Sequence, residues 1–387
     1  MITRELQKKC IEFSRRYPII TITGPRQSGK TTLAKMCFPK MDYANLEEPD
    51  QRLLAIEDPR GFLSKFPDGA ILDEIQRTPE LPSYIQSIVD AQSRNGVIIL
   101  TGSLKFEISQ SIRQSLAGRT ALVKLLPFSL SELEKWKKLT SLDELLMSGF
   151  YPRLHKERLD PHFFFMNYFE TYVQRDLRQL SQIENLHRFE KFVRLTAARV
   201  GQLLNYESLG NDVGISGPTV RKWISLLEAS YIVFLLPPFF RNIGKRLIKT
   251  PKIYFYDVGL AAYLLGIENG KQMQAHPLRG NLFENFVVLE LLKGRFNDAK
   301  SSNLYFYRDR TGNEIDLVAE NALSLMPIEI KSSQTPNTDF AHAIFHFKKL
   351  FGDEVEKSFV IYAGESEQNY REVKFVPWRD LALNFDR

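Results

Sequence analysis

The chain has 387 residues, 43% hydrophobic and 25% charged, with a net charge of +6. That balance excludes a disordered or collagen-like chain and leaves room for several domains. Cys10 and Cys37 are too few for a disulfide framework or zinc cluster, no long apolar run marks a membrane span, and no signal pattern opens the sequence, so a reducing, cytoplasmic setting without membrane contact is expected.

The first strong feature follows an apolar, β-branched run, Ile19 to Thr23. It reads Gly24-Pro25-Arg26-Gln27-Ser28-Gly29-Lys30-Thr31-Thr32 and fits the phosphate-binding pattern G-x-x-x-x-G-K-[ST]. Strand, glycine-rich turn and helix start make an anion site, because backbone N–H groups and the helix dipole both favour negative charge there. Lys30 is expected to reach the β- and γ-phosphates of ATP, and Thr31 to ligate Mg²⁺.

A second apolar run, Ala70 to Leu72, ends in Asp73-Glu74. Asp73 would hold Mg²⁺, and Glu74 would take a proton from the attacking water. A third run, Val97 to Leu100, leads into Thr101-Gly102-Ser103. A hydroxyl of Thr101 or Ser103 would sense the γ-phosphate, although the tripeptide also reads as an ordinary turn. Arg119 is the candidate arginine finger, with Arg113 second; a plain surface arginine is the competing reading. A finger that completes a neighbour's site implies a homo-oligomer.

The ordered series of the glycine-rich loop, Asn45-Leu46-Glu47, Leu72-Asp73-Glu74-Ile75-Gln76, Leu100-Thr101-Gly102-Ser103, Leu116-Ala117-Gly118-Arg119 and Leu126-Pro127-Phe128-Ser129 resembles the prokaryotic AAA-type ATPases that carry a DUF4143 C-terminal region. The resemblance covers nearly the whole chain. It implies an ATPase core, a helical lid, a winged-helix element and a C-terminal region similar to restriction-endonuclease folds.

From Ser129 to about Arg199 the pattern turns helical, with an aromatic stripe between His162 and Leu180 that suits packing. Tyr206 to Val213, a turn at Gly214 to Gly217, and Pro218 to Leu227 read as a helix-turn-helix. Val220, Trp223, Ile224 and Leu227 would face inward and Arg221, Lys222 and Ser225 outward. Between Val213 and Tyr256 lie Arg221, Lys222, Arg241, Lys245, Arg246, Lys249 and Lys252, against Glu228 alone. Such a block suggests DNA as a partner, read chiefly by Arg221, Lys222, Lys245, Arg246 and Lys249; a solvated basic face is the alternative.

The last third places Glu284 in a helix, Asp316 in one alternating strand, and Glu329 and Lys331 in another. Residues two apart in a strand share a face, so Glu329 and Lys331 point the same way. The set looks like the PD-(D/E)xK nuclease motif, without its proline. Glu284, Asp316 and Glu329 would hold Mg²⁺ or Mn²⁺, and Lys331 would act on the reacting phosphate.

The expected architecture is therefore α/β. It comprises an AAA-type P-loop parallel-sheet core over 1–128, a helical lid over 129–200, a winged-helix-like domain over 201–272 and a nuclease-like domain over 273–387. The expected activity is ATP hydrolysis coupled to DNA binding, with Mg²⁺-dependent cleavage in the C-terminal domain. The alternative is an ATP-dependent switch or DNA-binding scaffold whose nuclease-like domain does not cut.

Overall fold

The computed structural model describes residues 2–92, 94–103, 115–139, 141–176, 185–239, 249–322, 324–381 and 385. The chain divides into two compact units. The first comprises Met1–Phe128 with Ala229–Tyr231 and Arg295–Lys300; the second holds Ser129–Glu228, Ile232–Gly294 and Ser301–Arg387.

The first unit is built on five parallel strands: β1 (Ile19–Thr23), β2 (Asp42–Asn45), β3 (Ala70–Asp73), β4 (Ile98–Gly102) and β5 (Thr120–Lys124). Their order is β2-β3-β4-β1-β5. Strand residues alternate between two cores, as a period of two requires. Ile19, Leu72, Ile98 and Leu100 pack with Ala55, Phe62 and Ile85 from helices α3 (Pro49–Glu57), α4 (Pro59–Ser64) and α5 (Leu81–Gln92). Ile20, Ile22, Ile71 and Ile99 pack with Cys10, Leu33 and Ala34 from α1 (Gln7–Ser14) and α2 (Lys30–Cys37). Helices thus cover both faces, which is why the central strands read as unbroken apolar runs. Thr101 and Gly102 belong to β4 and pair with Ile22 and Thr23, so they are strand residues and not a turn.

In the second unit, helices Tyr206–Val213 and Gly217–Ala229 flank a left-handed Gly214. Val220, Trp223, Ile224 and Leu227 are buried, whereas Arg221, Lys222 and Ser225 are exposed. Trp223 meets Phe189 and Phe192 edge-on, at 5.3 and 5.1 Å between centroids. Strands β6 (Val233–Leu236) and β7 (Lys252–Phe255) pair antiparallel. The remaining strands are β8 (Leu304–Arg308), β9 (Glu314–Asn321), β10 (Ser324–Lys331), β11 (Phe359–Tyr362), β12 (Gln368–Tyr370) and β13 (Val373–Pro377). They form a mixed sheet ordered β12-β13-β11-β10-β9-β8. The helix His342–Phe351 covers one face through Ile344, Phe347 and Phe351.

Candidate active site and a buried charge cluster

Because the first sheet is wholly parallel, the C-terminal ends of β1, β3 and β4 meet along one edge, where open α/β sheets bind ligands. The glycine-rich loop leaves β1 there. Gln27 (φ 63°) and Gly29 (φ 93°) are left-handed, which wraps the loop around its own centre. Gly24 is required by contact as well: a Cβ on it would stand 2.0 Å from the carbonyl oxygen of Leu125.

Lys30 opens α2 and is buried inside the loop, where its Nζ donates to the carbonyl oxygens of Gly24 (3.1 Å) and Pro25 (2.8 Å). Burial lowers its pKa, and the carboxylates of Glu74 and Asp73 oppose that shift. The N-cap of α2, Gly29, supplies no side chain, and no acidic residue sits in the first turn. The first N–H groups of the helix are therefore left for an anion. Ser28 Oγ is buried beside them, without a hydrogen-bond partner among the described residues.

Asp73 ends β3 almost fully buried. Its Oδ2 accepts from Thr31 Oγ1 and from Tyr43 Oη, both at 2.8 Å, and its Oδ1 accepts from Thr101 Oγ1. The Thr31 hydroxyl and the Asp73 carboxylate thus stand together, as a Mg²⁺ shell would need. The curved loop, the uncapped helix, the orphaned hydroxyl and this oxygen pair fit a nucleoside triphosphate with its Mg²⁺.

Glu74 follows in the left-handed region (φ 57°, ψ 47°), a conformation of real cost for a side chain with a Cβ. The turn lifts its carboxylate out of the strand. Ser103 Oγ donates to Glu74 Oε2 at 3.1 Å, and Gln76 Nε2 donates to the same oxygen and to Ser103 Oγ. Gln76 Oε1 is buried and has no partner among the described residues. Arg26, in the loop, is paired with Glu47 just beyond β2 (2.5 Å). Tyr43, Glu47 and Gln76 were not singled out from the sequence as site residues. Only their place just before or beyond strand ends marks them, because strand ends converge in a parallel sheet.

Arg119 lies elsewhere. It precedes β5, and its carbonyl accepts from Ile19 N–H at the start of β1. The glycine-rich loop leaves the other end of β1, roughly 16 Å away for five strand residues. Its guanidinium forms a two-point ion pair with Asp90 (2.6 and 2.8 Å). Arg119 therefore stands at the opposite end of the sheet from its own chain's glycine-rich loop. Arg113 lies outside the described residues.

The expected nuclease residues fall in the second unit. Strands β9 and β10 pair antiparallel, and continuing the register Ile328↔Leu317 sets Asp316 opposite Glu329. Lys331 Nζ bridges Asp316 Oδ2 (3.2 Å) and Glu329 Oε2 (2.5 Å). Asp316 Oδ2 also accepts from Ile330 N–H at 2.8 Å. Glu284 is held by a residue the sequence assigned to a basic surface. Lys252, only 3% exposed, reaches Glu284 at 3.1 Å and Glu314 at 2.6 Å, and Tyr254 Oη donates to the same Glu284 oxygen. Burial alone would lower the Lys252 pKa, but Glu284, Asp316 and Glu314 hold it above its usual value. Burial pushes Glu284 up to about 7 and Glu329 up to about 8.

One expectation is corrected here. Lys252 is an internal counter-ion and not part of an exposed basic face. Among the described residues, no group of three or more His, Cys, Asp or Glu is arranged to hold a metal ion; Glu284 stands beside Lys252, and Asp316 and Glu329 beside Lys331. The two ammonium groups occupy the space between the carboxylates. Of the expected DNA contacts, Arg221 stacks on Tyr206 at 4.3 Å, Lys222 and Lys249 are exposed, and Lys245 and Arg246 lie outside the described residues.

Family models match in three places. An AAA domain covers 16–134, a domain of unknown function, DUF8612, covers 139–271, and a further one, DUF4143, covers 279–381. Uncharacterized proteins of Mycobacterium bovis and Mycobacterium tuberculosis are each 30% identical over 327 residues, spanning 83% of this chain and 72% of theirs. The chain belongs to the AAA-type ATPases with a C-terminal DUF4143 region. Among solved structures, a Walker-type ATPase of Pyrococcus abyssi is 17% identical with a TM-score of 0.43, covering 67% of this chain and 94% of that one. Among the described residues of this AAA-type ATPase, no helix is long and apolar enough to cross a membrane.

Proposed function

We propose that this AAA-type ATPase hydrolyses ATP at the edge formed by β1, β3 and β4, and uses nucleotide state to control DNA binding by its second unit. The hydrogen-bonded set Thr31–Asp73–Thr101 beside Glu74 carries the reading. Lys30 and the α2 N-terminus bind the phosphates, and Thr31 and Asp73 hold Mg²⁺. Bound there, the ion neutralises charge on the phosphate oxygens. Glu74 accepts the proton of the attacking water, oriented by Ser103 and Gln76.

A finger role for Arg119 requires a second copy of the chain, since its own site lies at the far end of the sheet. Lys30→Ala and Arg119→Ala chains, each inactive alone, are then expected to regain turnover on mixing. A phosphate-release assay that finds no rescue at any ratio leaves Arg119 as a surface partner of Asp90.

For the second unit we favour a domain that does not cut. The ammonium groups of the buried Lys252 and the part-exposed Lys331, each bonded to two carboxylates, support this over metal-dependent cleavage. Plasmid incubated with the protein in Mg²⁺ or Mn²⁺ is expected to stay intact; nicking abolished by Asp316→Asn would reverse the choice. DNA binding is assigned to the outward face of helix Gly217–Ala229 and the basic segment after β6. Neutralising Lys245, Arg246 and Lys249 together is expected to weaken binding and flatten its salt dependence, by up to about 0.9 in slope per lost phosphate contact. Fluorescence anisotropy across a salt series checks this, and an unchanged slope removes the segment from the interface.

A further inference from the structure

Helix α1 and the segment before it touch the glycine-rich loop and its helix at two points. The buried guanidinium of Arg4 donates to the carbonyl oxygens of Ser28 (2.9 Å) and Leu126 (2.7 Å). Further on, Cys10 is fully buried in the same core as Leu33 and Ala34 of α2. Cys37, the last residue of α2, is half-buried and packs against that core. The two thiols are neighbours across that core, close enough for each to shift the other's pKa. They are the chain's only cysteines, so oxidation of one finds a resolving thiol at hand and no competitor within the molecule.

We propose that Cys10 and Cys37 close a reversible disulfide that regulates nucleotide handling at the glycine-rich loop. The oxidant is a peroxide. The Cys37 thiolate attacks a peroxide oxygen, the O–O bond breaks, and Cys37 becomes a sulfenic acid while hydroxide leaves. Cys10 then attacks the Cys37 sulfur, expelling the sulfenic oxygen as water. In total two thiols and one hydrogen peroxide give one disulfide and two waters. Cys37 is the attacking group because it is the more accessible of the two. The neighbouring Cys10 thiol also lowers the Cys37 pKa, whereas Cys37 and burial raise that of Cys10.

The consequence follows from what the ring encloses. A link from Cys10 to Cys37 closes a covalent loop around β1, the whole glycine-rich turn and Lys30. Neighbouring thiols must approach to about 2 Å between sulfurs to bond. That movement draws the end of α2 towards α1, and the other end of α2 carries Lys30 and Thr31. Arg4 pins the loop carbonyl of Ser28, so the strain is directed into the phosphate-binding turn.

The proposal reads its effect at the nucleotide site and so rests on that reading, but the bond is scored without nucleotide. The full chain is treated with hydrogen peroxide and digested without reduction. A single linked peptide pair containing Cys10 and Cys37 is expected. Oxidation is expected to lower binding of a fluorescent ATP analogue, or ATP turnover, about fivefold or more. Dithiothreitol is expected to restore it. Cys37→Ser is expected to match the reduced protein and to ignore peroxide. Sulfinic acid on Cys37 with Cys10 still free would overturn the proposal. So would a linked peptide with both readouts unchanged, or equal peroxide sensitivity in Cys37→Ser. A reduced protein that binds the analogue but never turns over ATP would count against the hydrolysis assignment and leave this one scored by binding.

Discussion

Glu74→Gln is expected to keep ATP bound and to lose turnover by about 10²-fold or more, the usual contribution of a positioned general base. The split follows from the geometry. Asp73, not Glu74, accepts from Thr31 Oγ1, so the pair proposed to hold Mg²⁺ survives the substitution. The amide keeps the shape of the side chain and its contact with Ser103, so the turn at Glu74 need not rearrange. What is lost is the capacity to take a proton. Nucleotide affinity within about threefold of wild type, with turnover at the detection limit, is the result that fits; a drop this size is far beyond the effect of a single neutral hydrogen bond. Wild-type turnover in this variant would move the base elsewhere.

The second large effect is expected on stability. Lys252→Met removes one buried ammonium that touches two carboxylates, the largely buried Glu284 and the part-exposed Glu314, which also pairs with Arg308. Losing one partner of a buried ion pair costs about 3–5 kcal/mol; Glu284 is left without its ammonium while Glu314 keeps Arg308, so a loss at the lower end, about 3 kcal/mol, is expected. Adding Glu284→Gln should return part of that loss, since it removes a charge the first substitution stranded. The deficit should also depend on pH. In the native protein the Glu284 pKa already stands at about 7, above its unfolded value. A raised folded value favours the folded state at low pH, and that advantage fades as pH rises through the folded value. Without Lys252, Glu284 moves higher still, so the deficit should be smallest near pH 5 and grow towards pH 8. Thermal denaturation followed across that range checks both points. A variant as stable as wild type at pH 8 would mean that the cluster is open to water.

The different fates of these residues show what a sequence displays. The glycine-rich loop is legible because phosphate binding needs adjacent residues on one strand, turn and helix, and adjacency is what a sequence records. Asp73 and Glu74 are legible for the same reason, as the polar end of a buried strand. Asp316, Glu329 and Lys331 were found from the period of two in paired strands, and β9 and β10 do bring them together. Lys252 was misread because its partners, Glu284 and Glu314, are distant in sequence, and a lysine within a basic stretch resembles a surface group. Arg119 was singled out by chemistry alone. Its position became clear only from the direction of β5, since in a parallel sheet a residue before a strand stands opposite those after its neighbours. The bond between Gln76, Glu74 and Ser103 joins a turn after β3 to one after β4, a contact created by strand order and invisible to any local pattern.

The central claim is that this site cleaves ATP, and phosphate release measured side by side for the wild-type chain and Lys30→Ala tests it most directly. Lys30 is the one cation that the loop folds around, buried within its own carbonyl oxygens. Mg²⁺-dependent phosphate release by the wild type and none above background for Lys30→Ala, with DNA present or absent, is the expected result. Release that persists in Lys30→Ala, or a wild-type chain that binds ATP and Mg²⁺ yet releases no phosphate under any of these conditions, would contradict it.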